Sequence, residues 1–117
     1  MAFMLLVLES GEERRTRPPD VARRAFERMG KFVESVMARG VCKFADSLKS
    51  DAEGVRLTTR AGKPMVSDGP FTEAKEIVGG FFYLDVQTRE EAMAIARECP
   101  ASEWATLELR ETGPCFY

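Results

Sequence analysis

Phe3-Met4-Leu5-Leu6-Val7-Leu8 carries no polar side chain at either parity. A strand with one solvated face alternates polar and apolar residues, so this run predicts a strand covered on both faces. Glu9-Ser10-Gly11 ends it, and the charged residues 11–18 read as a loop that stops at Pro18-Pro19-Asp20. Beyond them Val21, Ala22, Ala25, Phe26, Met29, Phe32, Val33, Val36 and Met37 recur at steps of three and four, the apolar stripe of a long helix. Asp20 or a neighbour can cap its start, and Gly40 suits a left-handed stop after Arg39.

The pattern then changes period. Val41 to Leu48 reads as a second strand. Val55–Thr59 and Pro64–Ser67 flank Arg60-Ala61-Gly62-Lys63, a hairpin with glycine in its turn. Ile77 to Val86 is a strong strand. Thr88-Arg89-Glu90-Glu91 is a capping box that opens a short helix through Ala92, Ile95, Ala96 and Cys99, and Pro100 stops it. Trp104 to Arg110 alternates as a last strand. The order β-α-β-(hairpin)-β-α-β predicts a ferredoxin-like α+β fold, the split βαβ arrangement with an inserted β-hairpin. Both helices of such a fold lie on one side of the sheet, whereas the first strand is apolar on both. A second copy packed sheet to sheet resolves that conflict, so the sequence predicts a homodimer.

At 117 residues the chain suits a single domain, with residues 110–117 as a C-terminal tail. Seventeen basic and nineteen acidic side chains give a net charge of −2, which offers no field for nucleic acid or an acidic membrane surface. Arg14, Arg15, Arg17, Arg23, Arg24 and Arg28 cluster early but alternate with Glu12, Glu13, Asp20 and Glu27, a pattern of solvated self-pairing. The apolar start lacks a basic leader and is too short to cross a bilayer, and the unpaired spacing of three cysteines suits reduced thiols, so a cytoplasmic location is expected. There is no histidine, which removes the commonest general base and the commonest metal ligand. No metal and no cofactor is expected.

Near the middle lies Ser67-Asp68-Gly69-Pro70-Phe71-Thr72-Glu73-Ala74-Lys75-Glu76. Asp68-Gly69 is a turn signal, Pro70 holds the chain rigid, and Phe71 is thereby aimed in one direction. Two readings of Asp68 follow. In one its carboxylate accepts amides of its own corner; in the other it faces a cleft as a catalytic acid or base, with Glu73 and Lys75 as neighbours and Phe71 and Tyr83 as walls. A cleft on the open sheet face would be lined by Tyr83, Asp85, Glu108 and Arg110, residues that can equally pair across strands.

The Asp-Gly-Pro-Phe motif, the following Thr-Glu-Ala-Lys-Glu, Gly79-Gly80 and the aromatic strand after them resemble the DGPF signature of the YCII-related family. The similarity extends from Phe3 to Arg110, through the hairpin, Glu90-Glu91-Ala92, Cys99-Pro100 and Leu107-Glu108-Leu109-Arg110. The resemblance implies a dimeric α+β barrel of ferredoxin-like subunits. It also implies a small-molecule-binding protein or enzyme with its cleft near the dimer interface, or a regulatory module associated with extracytoplasmic-function sigma factors. Related members carry a His and Asp pair in a cleft. This chain has no histidine, so only Asp68 matches a residue able to act as a catalytic carboxylate.

Overall fold

Residues 2–115 are described by the computed structural model. The strands are β1 Phe3–Glu9, β2 Cys42–Ser47, β3 Val55–Arg60, β4 Lys63–Asp68, β5 Ile77–Leu84 and β6 Thr106–Glu111. The helices are α1 Gly11–Thr16, α2 Pro19–Ala38 and α3 Arg89–Glu98, with 3-10 turns at Asp51–Glu53 and Pro100–Glu103. Four strands form an antiparallel sheet in the order β2-β5-β1-β6, and β3 pairs with β4 in a separate two-stranded sheet. This is the expected α+β ferredoxin-like arrangement with its inserted hairpin.

Strand parity explains the layering. Phe3, Leu5 and Val7 of β1 and Phe82 and Leu84 of β5 form one core with Phe32 and Val36 of α2 and Ala92, Ile95 and Ala96 of α3. Phe32 meets Phe82 edge to face, with ring centroids 5.2 Å apart. Leu5, Leu84 and Val36 are fully buried, so truncating either leucine to alanine removes about 2–5 kcal/mol of stability. The opposite parity, Met4, Leu6, Leu8, Phe81 and Tyr83, faces away from both helices and is half-buried by its neighbours alone.

Helix ends follow from local chemistry. Past the C-terminus of α2, Gly40 takes φ 71°; its N–H donates to the Met37 carbonyl, and the Val41 N–H donates to that of Val36. This is a Schellman closure, for which glycine is the favoured residue. The start of α2 differs from expectation: Pro18 is the cap, Pro19 is the first helical residue, and Asp20 lies in the first turn, paired with Arg24. At α3 the Thr88 hydroxyl accepts the Glu91 N–H at 3.1 Å, as the capping box predicts.

Further expectations are corrected. Residues 11–16 form the short helix α1 instead of a loop, and Ser10 caps it by accepting the Glu13 N–H at 3.2 Å. The segment has no apolar period because charges, not apolar side chains, tie it to the body. Arg14 and Arg17 approach Glu9, Arg15 pairs with Asp51 and Arg28 pairs with Glu103, so these four bind carboxylates outside their own cluster, while Arg24 pairs with Asp20 as the interleaved charges predict. In the tail, Glu111 still belongs to β6, and Thr112 donates its N–H to the Ala2 carbonyl at 2.9 Å. Phe116 and Tyr117 lie outside the described residues.

Candidate ligand cleft

Glu9 follows Phe3, Leu5 and Val7 on the helix-facing side of β1, so its carboxylate turns inward and the residue is 7% exposed. A side chain on the neighbouring β5 position would overlap it; Gly79 leaves the room, because an added Cβ there would run into Glu9 Oε2. Arg14 Nη1 lies 3.4 Å from Glu9 Oε2, and Arg17 Nη2 lies 3.6 Å from Oε1. Both separations hold an ion pair but exceed a good hydrogen bond. Arg14 is fixed from behind, since its Nη2 donates to the Leu48 carbonyl, while its buried Nη1 has no hydrogen-bond partner.

This charged trio closes one end of a cleft of about 520 Å³ between α2 and the sheet. Its roof is the first part of α2, with Ala22, Ala25, Phe26, Met29, Gly30 and Val33; its floor is Val7, Ala45, Gly80 and Phe82; Ala101 and Trp104 bound it too. Small side chains on both surfaces leave the space between them unfilled. Phe26 stays 71% exposed, whereas Phe32 and Val36, further along the same helix, are buried against the sheet. The roof is pinned beyond Phe26, where Arg28 pairs with Glu103 and lies 5.6 Å from the centre of the Trp104 ring.

The Asp-Gly-Pro-Phe corner lies outside this cleft, and the carboxylate that accepts an amide of the corner is not that of Asp68. Asp68 ends β4 opposite Val55 and is exposed, and among the described residues its side chain makes no hydrogen bond or ion pair. The carboxylate that holds the corner is Asp51: its Oδ2 accepts the Phe71 N–H at 3.0 Å and its Oδ1 meets Arg15 at 2.6 Å. The Phe71 amide and then the Arg15 guanidinium hold the Asp51 carboxyl below its usual range. Gly69 is required here, since a Cβ would overlap the Asp51 carbonyl, and the Gly69–Pro70 peptide is cis. Phe71 is half-buried, with the Arg56 guanidinium 3.9 Å from its ring centre; Arg56 also reaches Glu73 at 3.7 Å.

The remaining residues singled out from sequence do not converge with Asp68. Lys75 borders a shallow depression with Glu13, Glu76 and Trp104. Tyr83 is stacked on Phe44 at 5.0 Å, Asp85 pairs with Lys43 at 3.7 Å, and Arg110 pairs with Glu108 at 3.9 Å. Tyr83 and Arg110 flank Met4 in one cross-strand row on the open face, away from the cleft beneath α2. Burial pushes the Cys42 and Cys99 thiols up, which leaves them protonated near neutral pH. Among the described residues no three His, Cys, Asp or Glu side chains gather as a metal site requires, and no helix is long and apolar enough to cross a membrane.

Glu9, Arg14, Arg17 and Asp51 were not singled out as site residues by sequence. The signal was present for two of them: Glu9 continues the inward parity of Phe3, Leu5 and Val7, and Ser10-Gly11-Glu12-Glu13 is a capping sequence that starts the helix carrying Arg14.

A four-stranded antiparallel sheet of this order, with its long helices on one face, defines a ferredoxin-like α+β domain. Comparison with protein families matches the YCII-related domain over residues 1–113, and the chain belongs to that family. A comparison with curated proteins finds no match.

Proposed function

We propose that this chain is a small-molecule-binding protein whose ligand lies beneath the first half of α2, with Glu9, Arg14 and Arg17 at its polar end. The observation that carries the reading is the cleft itself: about 520 Å³, walled mostly by apolar side chains, with a few convergent charges. The open face offers less, because Tyr83, Asp85 and Arg110 are engaged by their neighbours.

Gly30 supplies the test. Glycine inside a helix costs about 1 kcal/mol relative to good helix formers, and a Cβ at this position meets nothing within 4 Å. Packing therefore gives no reason for it, whereas an open cleft does. Gly30→Leu is expected to raise the melting temperature of the free protein. Small aromatic and aliphatic molecules are expected to raise the melting temperature of the wild type, and Gly30→Leu is expected to abolish that shift. An undiminished shift in Gly30→Leu, together with its loss in Tyr83→Ala, would move the site to the open face.

The reading includes a homodimer in which the open faces meet. Met4, Leu6, Leu8, Phe81 and Val78 give that face an apolar centre. Lys43 and Arg110 alternate with Asp46, Asp85 and Glu108 around it, so the same surface turned about a twofold axis can meet opposite charge. Every residue of β3 and β4 is exposed, including Leu57 and Val66. An isolated two-stranded hairpin is marginal in water, and a second copy gives it a surface to cover.

A further inference from the structure

The polar end of the cleft is not electrically balanced. Two guanidiniums face one carboxylate, which leaves a surplus of one positive charge where the apolar walls begin. Asp46 also borders the cleft, but it lies in the cross-strand row of Phe81 and Leu6, the row of the opposite sheet face, and its Oδ1 accepts the Ser47 N–H. Hydrogen-bonding capacity is unbalanced too. Glu9 lies at 3.4 and 3.6 Å from the two arginines, too far to satisfy their donors, and Arg14 Nη1 is buried without an acceptor. Arg14 and Arg17 are 22% and 16% exposed at the side chain and both line the cleft, so the surplus charge is largely withdrawn from bulk water where it borders the apolar walls.

From this geometry we infer the chemical class of the ligand: a small monocarboxylate with an apolar body, its carboxylate held by Arg14 and Arg17 beside Glu9 and its body lying on Val7, Ala45, Gly80 and Phe82. The inference rests on the cleft being the binding site and adds the head group. Guanidinium forks match a planar carboxylate in charge and in donor spacing. A single negative charge cancels the surplus, whereas a dianionic phosphate would exceed it and meet Glu9 with like charge. A cationic ligand would have to displace two arginines from Glu9. Gly79 is what gives the Glu9 carboxylate and the Arg14 guanidinium room at this end of the cleft, since an added Cβ would overlap Glu9 Oε2 and crowd Arg14 Nη1.

Calorimetric titration of the full chain with trans-cinnamate and with its neutral isostere, cinnamamide, at low salt tests this. Cinnamate is expected to bind at least about tenfold more tightly than the amide, a preference that Arg17→Gln reduces. Glu9→Gln is expected to tighten cinnamate binding, because the competing internal anion is gone. Melting curves of both variants check that they are folded, and the comparison of the two probes on the wild type needs no variant. Equal or tighter binding of cinnamamide overturns the carboxylate assignment and leaves the cleft in place as a site. Weaker cinnamate binding by folded Glu9→Gln also overturns it. Absence of binding by either probe at millimolar concentration removes both the head-group assignment and the cleft reading.

Discussion

Asp51 does for the central corner what its motif aspartate does not. Its carboxylate accepts an amide across 20 residues of sequence and holds Arg15 of α1, so one side chain joins the corner, the 3-10 turn and the short helix. A carboxyl whose native pKa is depressed stabilises the fold at pH above its unfolded value, and that contribution is lost as pH falls through the native value. The Phe71 amide and the Arg15 guanidinium lower Asp51, so its contribution is complete above about pH 4–5 and disappears in more acidic solution. Asp51→Asn is expected to lower the melting temperature at pH 7 by roughly 5 °C, with the gap to wild type narrowing below about pH 4. Asp68→Asn should leave the melting temperature within about a degree of wild type, as an exposed residue without partners does. Thermal melts of both variants between pH 3 and pH 7 decide it. The reverse order of effects would return the corner to Asp68.

At the scale of elements, what could be read from sequence was whatever carries a hydrophobic period. The stripe of α2, the alternation of β6 and the capping box of α3 each encode geometry in residues a few positions apart, and all three elements form. Gly62 likewise sits at φ 76° in the hairpin turn, where its position in Ala61-Gly62 places it. The helix α1 is marked in sequence only by its capping residues, because its partners, Glu9, Leu48 and Asp51, are remote or on another element, and ion pairs leave no periodic mark. The cleft was hidden for a related reason. The stripe of α2 is uniform from Val21 to Met37, yet only its second half is buried against the sheet; beneath the first half, small residues on α2 face Ala45, Gly79 and Gly80 and leave the gap unfilled. That complementarity exists only once β2, β5 and α2 are stacked. The Asp-Gly-Pro-Phe motif, by contrast, was legible as a rigid corner, while its true anchor lay 17 positions upstream of Asp68.

As a whole the molecule is thin, with extents of 46 × 43 × 19 Å. Its radius of gyration is 15.9 Å, above the roughly 13 Å expected of a compact chain of this length. One sheet under one helix layer, with an exposed hairpin, accounts for the excess, and a second copy on the open face is the partner the account assigns. Light scattering at micromolar concentration should give twice the chain mass of 13.1 kDa, and Leu6→Glu should reduce it to a monomer. A wild type that scatters as 13.1 kDa contradicts the dimer but leaves the cleft, which lies within one chain, untouched. The central claim is the location of the ligand, and amide NMR during a cinnamate titration tests it most directly. The Gly30, Gly79 and Gly80 amides and the Trp104 indole are expected to shift with one saturation curve while Met4, Tyr83 and Arg110 stay in place. Shifts confined to Met4, Tyr83 and Arg110, with the three glycines unmoved, would contradict it.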